Sequence, residues 1–449
     1  MNPIVGATAH EIAEHVRLGT VSPVEVVRAH LDRIASIDER IGAFEVVRAE
    51  RALADAEALA ERSDLADLPL AGVPVAIKDN VAVSGEPMRS GSVASDPQLQ
   101  PRDHTIVARL RAAGAIVVGI TRMPELGAWP MTDNRFGITR NPWEPSRTPG
   151  GSSGGSAAAV SAGMVPLALG NDGGGSVRIP AAACGLFGLK PGNDVLPRLE
   201  PHDWFGMAEN GPLATTVADA ALMLSVMAAR DDLRDVRPPA RALRIAVSTR
   251  HPLRWARIDP AYAQGVRDAA EALAGAGHDV EEISFPYPLS HSLHIVLRWM
   301  ASVAQDAEAW KIADLEPRNR RHVRLGARAR RAGFVRLEAA DRYRAQMRRF
   351  FERYDVLVTP TLAAPPPRAL SYHERGWLAS ILASQRFAPM TFPWNYARFP
   401  AAAVPAGMHP CGTPLSAQIV SSDGNEGLVL RVAGVVEAAR PWSRHAQSG

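Results

Sequence analysis

GGSSGGSAAAVSAGMVPLALGNDGGGS, residues 150–176, is the stretch on which the reading of this chain turns. It reads as an alanine-rich helix flanked by glycine–serine loops. Glycine lets a backbone take torsions that other residues resist, and lets main-chain N–H groups come close to a bound oxygen. Gly173, Gly174 and Gly175 run straight into Ser176, so the amides of residues 173–176 can form an oxyanion hole beside a serine nucleophile. A flexible linker is the bland alternative for such composition. It does not suit a run as apolar as AAAVSAGMVPLAL, nor the IPAAACGLFGL that follows. Ser152 and Ser153 also satisfy G-x-S-x-G, but that elbow needs a preceding strand, and NPWEPSRTP is too proline-rich to be a central one.

Upstream lies GVPVAIKDN, residues 72–80, centred on Lys78. The chain has three lysines among 50 basic residues, the rest being arginine. Where lysine is kept in such a background, a property that arginine lacks is wanted: lysine loses its proton in a dry pocket and can then act as a base. Lys78 follows an apolar strand and is the candidate base for a serine.

The bulk composition narrows the field. A net charge of +3 over 449 residues does not suggest a nucleic-acid partner. Two cysteines, Cys184 and Cys411, make neither a disulfide framework nor a zinc cluster. His291-x-x-His294 has no third ligand near it, so no metal and no other cofactor is expected. The start lacks the pattern of a signal peptide and no apolar run is long enough to span a membrane, so a cytoplasmic protein is expected. The arginine-rich run 318–331 reads as a solvated helix face.

Outward from the central stretch, capping boxes at Thr8–Glu11 and Ser22–Glu25 start helices at 9–18 and 23–37, and an alanine-rich helix covers 46–62. Strands are predicted at 72–77, 115–120, 243–247, 279–285, 355–360, 401–407 and 415–421. Helices fall at 103–113, 216–229, 260–275, through 290–353 and at 425–439. Strand–helix–strand order at 72–120 predicts an α/β fold with a mostly parallel sheet in one domain, residues 1–449.

Taken together, GVPVAIKDN and RTPGGSSGGSAAAVSAGMVPLALGNDGGGSVRIPAAACGLFGLKP resemble the amidase signature family, over about residues 8–442. The resemblance implies a central mixed sheet of about eleven strands covered by helices. It also implies a Ser–cisSer–Lys triad: Ser176 the nucleophile, Ser152 the bridge with a cis peptide bond, Lys78 the base, and no cofactor. Ser153 and Asp172 are support residues on this reading, and Arg178 braces the loop or contacts an anionic substrate. Leu126, Gly127, Ala128, Trp129, Met131 and Trp204 are expected at the substrate. Where the family commonly has GTDTGGS, this chain has GNDGGGS, with Asn171 and Gly173 in place of two threonines.

The implied reaction is hydrolysis of a C–N bond in an aryl or alkyl amide through an acyl-enzyme. Anilides, esters and carbamates (urethanes) are open to the same chemistry. The implied partners are a small amide or carbamate and water, with no nucleic acid or membrane, and with room for a homodimer. The alternative within the family is the glutaminase subunit of a tRNA-dependent amidotransferase. That subunit typically reads GGSIRQP and KPTYGRVSR, where this chain has GGSVRIP and KPGNDVL. A free-standing hydrolase is the better fit.

Overall fold

A computed structural model describes residues 4–198, 202–253 and 256–446. Its strands are β1 (Phe44–Val47), β2 (Pro74–Lys78), β3 (Ile116–Thr121), β4 (Asp133–Asn134), β5 (Gly137–Ile138), β6 (Leu167–Asp172) and β7 (Phe187–Lys190). They continue with β8 (Glu209–Ala214), β9 (Arg244–Val247), β10 (Asp279–Glu282), β11 (Val356–Pro360), β12 (Ala401–Met408) and β13 (Pro414–Val420). β4 and β5 pair with each other; the rest form one 11-stranded sheet in the order β1-β3-β2-β6-β8-β7-β12-β13-β11-β9-β10. Both capping boxes form, at Thr8 and at Ser22, and start the helices Ala9–Arg17 and Pro23–Ile41.

The sheet is mixed, but the expectation that it is mostly parallel is wrong. Six of its ten neighbouring strand pairs are antiparallel. Only β3–β2–β6 at one end and β11–β9–β10 at the other run parallel. The strand–helix–strand rhythm of the sequence belongs to those two ends. The centre contains β6, β7 and β8, none of which the sequence pattern reveals. LALGND, FGLK and ENGPLA are buried at every position and rich in Gly, Ala and Pro, so they show neither alternation nor strong β propensity.

This changes the reading of residues 150–176. The helix is short, Gly154–Ser161, and wholly buried. A Cβ at Gly155 would crowd the backbone of Ala43 and Arg122, which shows how tightly it is packed. The second half, Leu167–Asp172, is β6, flanked by β2 and β8. Lys78 at the end of β2 and Asp172 at the end of β6 therefore leave the sheet side by side.

The long helical stretch is three helices: Leu289–Asp306, Pro317–Arg331 and Leu337–Arg353. An aromatic-rich cluster joins them to the loop 126–131 and to Trp394, apart from the main core around the sheet. Most arginines of 318–331 do face outward, but Arg318 is fully buried, paired with Asp133 and Glu316 at 3.0 and 2.9 Å. Among the described residues no helix is long and apolar enough to cross a membrane.

Candidate active site

Lys78 has no exposed surface. Its Nζ donates to Ser152 Oγ at 2.7 Å and to the Asn171 carbonyl at 3.0 Å. Burial lowers its pKa to about 7, against the pull of Asp172 and then Asp79. The amine therefore reaches its neutral form close to neutral pH. The Gly151–Ser152 peptide bond is cis. Ser153 links the two glycine–serine loops: its N–H donates to the Ser176 carbonyl at 3.1 Å, and its hydroxyl accepts from the Asn171 N–H at 3.2 Å.

Asp172 organises the turn that carries Ser176. It accepts from the N–H of Gly175 at 2.6 Å and of Val177 at 3.1 Å. Burial works against its charge, yet the adjoining Arg178 guanidinium carries its carboxyl well below the usual range. Arg178 is itself fully buried: it donates to both Asp172 oxygens at 3.0 Å, to Gln418 at 2.7 Å and to the Thr391 carbonyl at 3.1 Å. It also donates to Asn395 Oδ1. No face is left for a substrate, so the expectation of an anion contact at Arg178 is corrected: it is a brace. Gly175 needs the same correction as an oxyanion donor, because its N–H is already bound to Asp172.

The glycines have steric reasons to be there. A Cβ at Gly173 would run into the Trp204 indole, and one at Gly174 into Phe392. Trp204 thus fills the space a side chain at 173 would take. Leu126 and Trp204 both hold left-handed backbone, φ 59° and 54°, which is unfavourable without a glycine and recurs at binding sites.

Two cavities meet at Ser176, Gly127 and Trp204. The first, about 360 Å³, is mixed: Ser152, Asn80, Ser95, Asn171, His202 and Asp306 line it together with apolar Met88, Met123, Leu126 and Trp310. The second, about 300 Å³, is lined by Trp129, Ile295, Trp299, Trp377, Ile381 and Phe392 among others, with no charged side chain among the described residues of its wall. Leu126 faces the first, Ala128 and Trp129 the second, and Gly127 both; Met131 is buried and lines neither. Trp129 Nε1 donates to Asn319 at 2.7 Å and its ring meets Trp299 edge-on at 5.6 Å, which fixes the wall between loop and helices. Trp204 Nε1 donates to Asp306 at 2.6 Å. No local signal in the sequence marks Asp306, Ile295 or Trp299, which lie far along the chain. Among the described residues no group of three or more His, Cys, Asp and Glu is placed to hold a metal ion.

Comparison with known proteins places this architecture. The family model described as Amidase matches residues 25–430. The chain is 41% identical to "Putative amidase AmiB2" of Mycobacterium tuberculosis, over 96% of this chain and 95% of that protein. It is 34% identical to an acylamidase of Rhodococcus erythropolis, over 97% and 96% of the two chains. The structure of 6-aminohexanoate cyclic dimer hydrolase superposes with a TM-score of 0.87 at 31% identity, covering 99% of both chains. The chain belongs to the amidase signature family and is, at that level of description, an amide hydrolase.

Proposed function

We propose that this chain cleaves the C–N bond of a carboxamide through an ester intermediate on Ser176, with Ser152 and Lys78 as a proton relay. The observation that carries this is the 2.7 Å contact between Lys78 Nζ and Ser152 Oγ, opening into the cavity that Ser176 also lines. When Lys78 is neutral its lone pair accepts the Ser152 proton, and Ser152 in turn takes the proton of Ser176. The Ser176 Oγ–carbon bond forms, and the oxyanion is held by the amides of Gly173, Gly174 and Ser176, with Gly175 committed to Asp172. Collapse breaks the C–N bond. Ser152 protonates the departing nitrogen and is reprotonated by the Lys78 ammonium. Water, activated by the same relay, then hydrolyses the ester.

Esters and carbamates present the same acyl centre. The test is to incubate the purified protein with primary aryl amides, anilides, carbamates and glutamine, then quench rapidly and locate the adduct by mass spectrometry. An acyl group on Ser176, released by hydroxylamine as a hydroxamate, supports the assignment. An adduct on Ser152 or Ser153 overturns it.

A further inference from the structure

The relay has a direction, and the two cavities do not share it equally. Resting on the function proposed above, Ser152 is the group that hands a proton to the departing nitrogen, so the amine half of a bound amide must lie on the Ser152 side. Ser152 lines only the first, more polar cavity, whereas Ser176 lines both. The acyl half must then point the other way, past Gly174 into the space between the helices Leu289–Asp306 and Trp377–Phe387 and the Phe392 ring. We infer that the substrates of this enzyme are amides of a bulky apolar carboxylic acid with a polar amine, and that the reversed arrangement is a poor substrate.

The sizes and surfaces agree with this assignment. An apolar cavity of roughly 150 Å³ holds a benzene ring. The chamber beside Ser176, at about 300 Å³, has room for a larger aryl or alkyl acyl group. Its walls are dominated by Ile295, Val296, Trp299, Met300, Trp377 and Ile381, side chains that reward apolar burial; Ser292, Ser384 and Gln385 are polar exceptions, and the Ser384 hydroxyl already donates to the Ser380 carbonyl. On the other side Ser95, Gln98, His202 and Asp306 can exchange hydrogen bonds with an amine bearing a hydroxyl or amide. Trp204 stands between the two, held by its bond to Asp306, so the halves of a substrate cannot freely trade places.

The test uses constitutional isomers: phenylacetyl ethanolamide, and its reverse, the hydroxyacetyl amide of phenethylamine. Both are unactivated alkyl amides, so their intrinsic reactivity is matched. Burying the ring on the acyl side should give the first isomer a kcat/KM about 100-fold higher. Equal rates, a preference for the reverse isomer, or turnover of neither while other amides are cleaved would overturn the inference and leave the Ser176 chemistry standing. If no amide in the wider panel is cleaved, the proposed function falls and this inference with it. As a second measurement, Ile295→Trp should fill the apolar chamber and lower the ratio of phenylacetyl to acetyl ethanolamide turnover by about 30-fold. An unchanged ratio in the folded variant would place the acyl group elsewhere.

Discussion

Lys78 closes β2 and Lys190 closes β7, and neither exposes any surface to solvent. Burial lowers both ammonium groups from their ordinary value; for Lys190 the nearby Arg178 adds to the effect. The partners differ. Lys78 donates to a hydroxyl on the wall of a cavity and to a backbone carbonyl. Lys190 donates to the Pro191 carbonyl, and the carboxylates of Glu209, Asp172 and Glu426 favour its charge. Glu209 is in turn raised by burial and drawn back by Lys190. A dry environment makes an amine deprotonable, but it becomes a base only where a proton can reach it. Lys78 touches Ser152 on a cavity wall, the route the proposed relay uses; Lys190 bonds to a backbone carbonyl and lines neither cavity.

The largest expected effect removes what Lys78 serves. Ser176→Ala should cut kcat/KM at least about 10,000-fold, with an unchanged circular dichroism spectrum because Ser176 is only half-buried. Retention of substantial activity would separate the relay from the chemistry. Next, Lys78→Arg and Lys78→Met should each cost about 1,000-fold. Arginine keeps the charge without a usable proton-accepting form, so rescue by arginine would mean that Lys78, like Lys190, matters for its charge.

The pH profile sharpens the contrast further. Protonated Lys78 cannot accept a proton, so kcat/KM should rise about tenfold per pH unit on the acid side and level off above about 7. Stability carries the matching sign. With the folded pKa depressed, the unfolded chain binds the extra proton between about 7 and 10.5, so this lysine's contribution makes the fold more stable as pH rises through that window. Denaturant titrations at pH 7 and pH 9 should show that increment in wild type and lack it in Lys78→Met. The smallest effect is on activity in Lys190→Met. It should lose about 1–3 kcal/mol of stability and leave the acid limb of the profile where it was. A shifted limb would mean that the two lysines titrate together and that the comparison fails.

Lysine scarcity alone does not choose between these two positions. Of the three lysines only Lys311 is exposed, so rarity here goes with burial. The choice of Lys78 came from its place after an apolar strand and from the glycine–serine loops. Those loops were legible because they flank an apolar run, which a flexible linker does not. Their second half, β6, was not, because a strand buried on both faces has no alternation to show. The resemblance marks Arg178 as a brace of the loop; that Asp172, Gln418, Asn395 and Thr391 form its shell shows only in the fold. The same contacts that make it a brace remove it from the substrate.

By itself the sequence marked the candidate site residues, Lys78, Ser152, Ser176 and Asp172, through short-range motifs and the properties of their own side chains. It also determined the helix starts, where a cap and its acidic partner sit three residues apart. Tertiary structure decided the order and direction of the central strands, which of two buried lysines meets a hydroxyl, and the character of the two cavities beside Ser176. Apolar periodicity states that a helix face is buried but not what it is buried against. The helices after residue 289 became the wall of one chamber only by packing on a loop that precedes them by more than 150 residues.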